Sequence, residues 1–218
     1  MTGDLTRAMA VQRHGQRFSV PRGALRRGRL EFARGAGRLA IRSAGIPEVV
    51  RARFDRPVPS VSTDEGAVRV RYPRFSLGGW RRPWARRGGE VTLNNDVVWD
   101  LDIRGGAAHL EADLRDLRLE GLEVRRGASH VEARLPVPSG VVPVRIVGGA
   151  SHVRIRRPAG TPARLRIGRG VTDLTFDGQE FGAVGGRLRL ESPQEGGADG
   201  RYDIEIDGGA SHVRITTE

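Results

Sequence analysis

The feature that most constrains this chain is a pattern repeated six times. Two apolar residues stand two apart, a glycine corner follows, and a second apolar pair closes the unit. With n as the first apolar residue, the pairs fall at n, n+2 and n+9, n+11, with Gly at n+5, in copies starting at Leu30, Leu101, Leu122, Val144, Leu165 and Ile204. Four corners end in histidine at n+8, as His109, His130, His152 and His212; the other two carry Arg38 and Asp173 there. An internal repeat fixes the architecture before any single residue is interpreted.

The copies at 101, 122, 144 and 165 are separated by 21, 22 and 21 residues. Each reads as two short strands in which apolar residues alternate with Arg, Glu, Asp or Thr, giving one buried and one wet face. The step from n+2 to n+9 is odd, so a corner must reset the alternation, and the glycines at 105, 106, 148, 149, 208 and 209 are the expected places. Two layouts satisfy this. Each period is either a rung of a β-solenoid, with equivalent strands stacked about 4.8 Å apart, or an antiparallel hairpin of a meander or sandwich. A constant period with the same residues at the same corners favours stacking, because stacked units share one environment.

The expected fold is therefore all-β, a solenoid of about 21-residue two-strand repeats behind a basic, less regular β-rich N-terminal portion. Residues 1–16 read as a flexible tail, 17–93 as the basic portion and 94–218 as the repeat solenoid, the last two continuous as one domain. In the first half, Leu30 to Ile41 fits the repeat well. Val61, Gly66-Ala67 and Val70-Arg-Tyr72 fit in part, and Gly88 to Leu93 matches only a second strand. Beyond Phe176, Leu188-Arg-Leu190 reads as a separate strand followed by a polar, mobile loop over 192–200. No long helix is expected, only a turn near residues 6–12.

Glycine is abundant, 31 of 218 residues, and aromatics are only 5%, as short strands and tight turns require. With no cysteine, neither disulfides nor Cys-based zinc sites can hold the fold. All 37 basic residues are arginine, and the net charge is +11. Residues 1–100 hold 20 Arg and 9 acids, whereas 101–218 hold 17 of each. A polyanionic partner should thus meet the first half. No stretch approaches the roughly 18 apolar residues of a membrane helix, and the N-terminus lacks a signal-peptide core. The expectation is a cytoplasmic protein, with a peripheral position at a membrane as the variant.

Taken together, Trp99-Asp-Leu-Asp-Ile103, Gly-Gly-Ala-Ser-His at 148–152 and 208–212, Arg156-Arg-Pro-Ala-Gly160, Phe176 to Gly182 and Arg201 to Ile206 resemble the toastrack-type β-solenoid proteins. These are also labelled putative adhesins and occur in bacterial envelope-stress systems and actinobacteria. The resemblance runs from about residue 94 onward. It implies a right-handed stack of short strands without catalytic activity, serving as an interaction or sensing head, and carries over no catalytic residue.

Three groups are candidates for chemistry. If rungs stack in chain order, His109, His130, His152 and Asp173 form a ladder with neighbours about 5 Å apart. Such a ladder would be a weak Zn²⁺ or Ni²⁺ site or a pH-sensitive patch. A linear ladder does not converge on a tetrahedral point, and repeat duplication alone copies a solvent-facing histidine, so no metal is assigned. Asp113, Asp116, Glu120 and Glu123 are similar to the clustered acids of polysaccharide-cleaving solenoids but interleave with leucines as the wet side of a rung. The segment from Leu77 to Gly89 alternates Trp80 and Trp84 with Arg81, Arg82, Arg86 and Arg87. That pairing suits phosphates, bases or lipid headgroups, or a loop capping the core with its arginines solvated.

The sequence thus points to a non-catalytic interaction or scaffold protein, with no cofactor and no small-molecule substrate. Its alternative is a peripheral binder of membrane or nucleic acid through the Arg/Trp-rich half. Partners are expected to be protein, including a second copy paired through strand edges. The last strand, 212–216, is the edge expected to lie uncovered.

Overall fold

The computed structural model describes residues 11–14, 16–73, 88–193 and 199–218. Most of the expected tail, most of the turn near 6–12, and residues 194–198 of the expected loop lie outside the described residues. Among the described residues the chain forms twenty strands and no helix. The first strands of the six copies are β3 (Arg27–Phe32), β9 (Val98–Ile103), β11 (Arg118–Arg125), β13 (Gly140–Val147), β15 (Ala163–Ile167) and β19 (Gly200–Ile206). All lie in one nine-stranded sheet. The second strands are β4 (Ala36–Ala44), β10 (Ala107–Asp113), β12 (Ala128–Arg134), β14 (Ala150–Arg157), β16 (Gly170–Phe176) and β20 (Ala210–Thr217). All lie in the other, eleven-stranded sheet. Pairing between copies is parallel and in register: Leu39, Leu110, Val131, Val153, Val213 and Leu174 succeed one another as direct partners. The stacked layout is the one adopted.

A seventh rung joins these six. β7 (Ala67–Arg71) pairs parallel with β3, and β8 (Gly88–Asn94) pairs parallel with β4. The rungs do not follow chain order. Counting along the stack, the unit 67–94 comes first, then the copies at 30, 101, 122, 144, 204 and 165. The outermost unit at each end carries antiparallel partners that stop the parallel ladder. β6 (Ser60–Asp64) lies on β7, and β5 (Glu48–Phe54), β2 (Arg17–Pro21) and β1 (Gln12–His14) follow β8 outward. At the far end β17 (Gln179–Gly185) lies on β16 and β18 (Leu188–Glu191) on β15. Two of these hairpins turn on paired left-handed residues, Glu65-Gly66 at φ 43° and 84° and Asp177-Gly178 at φ 48° and 79°, the geometry that suits a two-residue hairpin.

This order overturns the expectation of an uncovered last strand. β20 is bonded on both sides, to β14 and to β16. The physical reason is that the copy at 165 carries the capping hairpins and must be outermost, so the copy at 204 fills the place inside it.

The repeat's apolar pairs face inward between the sheets. Leu101, Ile103, Val153, Ile155, Leu165 and Ile204 are all at most 1% exposed, and truncating one of them to alanine costs roughly 2–5 kcal/mol. At the first-rung end, the Phe54 ring meets Phe18, Phe32 and Tyr72 edge to face, with centroids 5.7, 6.4 and 6.3 Å away. These four rings, one each from β2, β3, β5 and the residue after β7, plug that end of the core.

The corners are held as tightly as the strands. Backbone bonds run from corner to corner, Ala107 N–H to Gly127 O at 3.4 Å, Ala128 to Gly149 at 3.1 Å and Ala150 to Gly209 at 3.0 Å. Of the six glycines expected to reset the chain, Gly106 (φ 77°) and Gly148 (φ 111°) take left-handed backbone. Gly105 and Gly208 serve a different need, close approach: a Cβ on Gly105 would meet the backbone of Gly35, and one on Gly208 the backbone of Gly148. The alternation is also reset a second time, at n+8, where His152, Asp173 and His212 have φ of 51°, 57° and 51°.

One buried arginine locks the out-of-order end. Arg157, 1% exposed, donates through Nη2 to both carboxylate oxygens of Asp177 at 2.6 Å and to Ser192 Oγ at 2.8 Å. Its Nε donates to the Thr161 carbonyl at 2.7 Å. The group thereby ties the rung at 144 to the hairpin turn and to the segment after β18.

Two stability measurements check this account. Gly105→Ala should lower unfolding free energy by about 1–3 kcal/mol in a denaturant titration. Gly182→Ala, where nothing lies within 4 Å, should stay within about 0.5 kcal/mol of the parent. Arg157→Ala should cost roughly 2–4 kcal/mol, because it empties a buried side-chain volume and strips the part-buried Asp177 carboxylate of its partner; a loss below about 1 kcal/mol would contradict the locking role.

Candidate functional site

In-register stacking converts each outward repeat position into a row along the axis. On the eleven-stranded sheet the n+8 row reads Arg38, His109, His130, His152, His212, Asp173. The four imidazoles are exposed and stacked, with centroids 5.7, 4.7 and 4.7 Å apart and interplanar angles of 26°, 11° and 2°. The ladder expected from the sequence is corrected in one place. His212, not Asp173, follows His152, because the copy at 204 sits inside the copy at 165; Asp173 ends the row, 3.8 Å from His212 Nε2.

Imidazole lone pairs lie in the ring plane, so near-parallel stacked rings send them side by side and not toward a common point. Among the described residues, no group of three or more His, Cys, Asp or Glu side chains is placed to hold a metal ion. Next to the rings, the n+10 row carries Glu111, Glu132, Arg154 and Arg214. Glu132 is already engaged, 3.9 Å from Arg154 and 3.4 Å from Arg156. A shallow groove of about 330 Å³ follows the imidazoles across the rungs. A second trough, about 680 Å³, follows the small corner residues beside it and is lined by Arg126, Ser129 and Ser151.

The nine-stranded sheet carries a different arrangement that sequence reading missed. At n+1, Glu31 and Asp102 are adjacent partners, yet only 4% and 1% exposed. Arginines from neighbouring positions lie across them. Asp102 takes Arg29 at 3.0 Å, Arg104 at 2.9 Å and Arg125 at 3.4 Å; Glu31 takes Arg69 at 3.3 Å and Arg104 at 3.1 Å. Beside them, burial pushes the Asp100 carboxyl above its ordinary range, against the pull of Arg29 and with help from Asp102, Glu120 and Glu123. The available signal was an acid at n+1 in the copies at 30, 101 and 122, with arginine at n−1 in the first (Arg29) and at n+3 in the other two (Arg104, Arg125).

The four acids singled out in the sequence do not form a site. Asp113 lies on the eleven-stranded sheet, bonded to Arg115 at 2.9 and 2.8 Å, a contact that holds its carboxyl below the usual range. Asp116 is in the following turn. Glu120 and Glu123 lie on the opposite sheet, paired with Arg27 at 2.7 Å and Arg125 at 3.0 Å. Trp80, Arg81, Arg82, Trp84, Arg86 and Arg87 lie outside the described residues.

The fold and these faces define a toast-rack-type stack of two-strand rungs. Residues 9–156 match the profile of the N-terminal domain of toast_rack, DUF2154, and the chain belongs to that family. The rungs at 165 and 204 continue the same stack past the matched stretch. Among solved structures, a putative cell adhesion protein from Clostridium sporogenes ATCC 15579 is similar with a TM-score of 0.72 at 17% identity, covering 93% of this chain and 98% of its own. A putative adhesin from Bacteroides fragilis NCTC 9343 aligns over 89% of this chain and 94% of its own, at 8% identity and a TM-score of 0.27, too low to carry an argument. No curated protein matches.

The buried acid pair separates two kinds of substitution. Asp102→Ala should cost roughly 3–5 kcal/mol, since three arginines lose a desolvated partner. Asp100→Asn should act the other way. A raised carboxyl means the folded state disfavours the charged form, so the charge destabilises above the ordinary carboxylate range, and that penalty fades as pH falls through it. The substitution should raise stability by a few tenths of a kcal/mol at about pH 7, screened as the group is part-exposed. The gain should vanish near pH 3 in paired denaturant titrations.

Proposed function

We propose that this chain is a non-catalytic β-solenoid that works through protein–protein contact, as a scaffold or an assembly head. The observation that carries this reading is the state of its polar side chains. On both outer faces they lie in rows, and many are engaged in cross-rung ion pairs such as Arg125–Asp102 and Arg154–Glu132. None of the candidate acids converges on a shared reacting point. Two broad, regular faces suit recognition of another surface, and membership of the toast_rack family, with a putative cell adhesion protein as a structural neighbour, supports the same reading.

A second reading rests on charge. The whole excess of +11 resides in residues 1–100, where arginines near an anionic surface add about 1 kcal/mol each. In this reading Arg81, Arg82, Arg86 and Arg87, with Trp80 and Trp84, hold the protein against a membrane or nucleic acid from the cytoplasmic side. No helix of the described residues is long and apolar enough to cross a membrane.

Photo-crosslinking residues placed at Glu111 and Arg145, one on each face, test the first reading in the native cell. Discrete protein adducts from either face, absent with the crosslinker at buried Leu122, are expected; their absence from both faces would count against it. For the second, cosedimentation of the full chain with anionic vesicles or DNA should fall steeply with added salt. It should be lost when the four arginines are changed to glutamine.

A further inference from the structure

Four exposed, stacked histidines do nothing for the core, and the charge around them is unbalanced. Stacking of uncharged imidazoles at 4.7 Å is favourable. Imidazole, however, gains a proton between about pH 8 and pH 5, and charges at that spacing repel along the whole row. A protonated row is a line of adjacent cations that needs counter-charge.

Little counter-charge is at hand. From the strands that pack around the row, β4 contributes Arg38, β14 Arg154 and β20 Arg214, all positive. Arg214 makes no ion pair within 4 Å among the described residues. On the acidic side, β12 contributes Glu132, already held by Arg154 and Arg156, and β10 contributes Glu111 at the first histidine. β16 contributes Asp173, 3.8 Å from His212 at the end of the row, and Glu180 of β17 lies one strand further out, opposite Thr175. The centre of the row, from His130 to His152, thus lacks a free carboxylate. Arg126, on the neighbouring trough, adds another cation.

We propose that this row is a binding strip for a linear polyanion, engaged when the histidines are protonated. The recognised chemistry is a flexible chain of oxyanions, phosphate or carboxylate, laid along the groove so that successive negative groups meet successive rungs. Each exposed ring edge then donates an N–H to one oxyanion, a charge-assisted bond, and the bound chain relieves the repulsion between neighbouring rings. The proposal rests on the reading of the chain as a binding module and names the ligand chemistry of one face.

The test uses the full chain with long-chain inorganic polyphosphate, poly-glutamate and orthophosphate, titrated calorimetrically at about pH 7.5 and pH 5.5 in constant salt. Polyphosphate, poly-glutamate or both should bind at least about tenfold tighter at the lower pH, with net proton uptake, and orthophosphate should not compete at equal phosphate. Which polymer binds distinguishes the two oxyanions. His130→Gln combined with His152→Asn, the latter chosen because asparagine tolerates left-handed backbone, should abolish the acid gain at unchanged circular dichroism. Arg214→Gln should weaken binding at both pH values. An acid gain that survives the double variant, equal binding of orthophosphate, or no binding of either polymer at pH 5.5 would overturn the strip. The last result leaves the protein-contact reading standing, since crosslinking tests that independently.

Discussion

Parallel, in-register pairing between rungs is the constraint on which the rest of the molecule depends. It places Leu110 on Val131 and Val131 on Val153, so the inward faces form continuous apolar columns. The same pairing aligns every outward side chain with its equivalents. The histidine row, the arginine-covered acids and the small-residue trough are all products of one register. A slip by one residue would exchange buried and exposed faces throughout. The corners therefore matter as much as the strands: Gly35, Gly105, Gly148 and Gly208 let backbones approach where a Cβ would hold the rungs apart.

Parallel stacks leave open ladders at both ends, and this chain closes them with antiparallel strands. The closure dictates the order of the rungs. Units that carry capping hairpins, 67–94 and 163–176, must be outermost, so neighbours in sequence are separated in space at both ends. The edge strands β6, β17 and β18 have no fully buried residue; their apolar side chains, Val61, Phe181, Val184, Leu188 and Leu190, pack part-buried against the core.

Much of this was legible in the sequence, and the failures have physical causes. The pairs at n, n+2, n+9 and n+11 announced themselves because a half-buried strand leaves a period of two. Rung order did not, because the copies at 165 and 204 both satisfy the local pattern beside Val144. Only the need to cap an edge distinguishes them. The seventh rung reads in sequence as two pieces, Val70-Arg-Tyr72 as the close of a partial copy from Val61 and Gly88 to Leu93 as a second strand alone. Val61 and Val70 are instead antiparallel partners, and β7 is the first strand of the rung that β8 completes after a long intervening stretch. Glu31 and Asp102 read as ordinary wet-face acids; their burial is a property of stacked rungs, whose arginines reach across from neighbouring strands. The histidine row was legible in composition and spacing, but the pairing of His152 with His212 required the rung order.

The displaced order of the last two rungs also bears on how the molecule is made. A ribosome delivers residues 163–191 before residues 200–217. The outermost unit and its hairpins therefore emerge while the slot beneath them is vacant. They cannot settle onto the copy at 144 in final register without shutting out the strands still to come. The copy at 204 must therefore reach the copy at 144 before, or together with, the seating of residues 163–191, so the far end of the molecule closes out of chain order and not by simple winding.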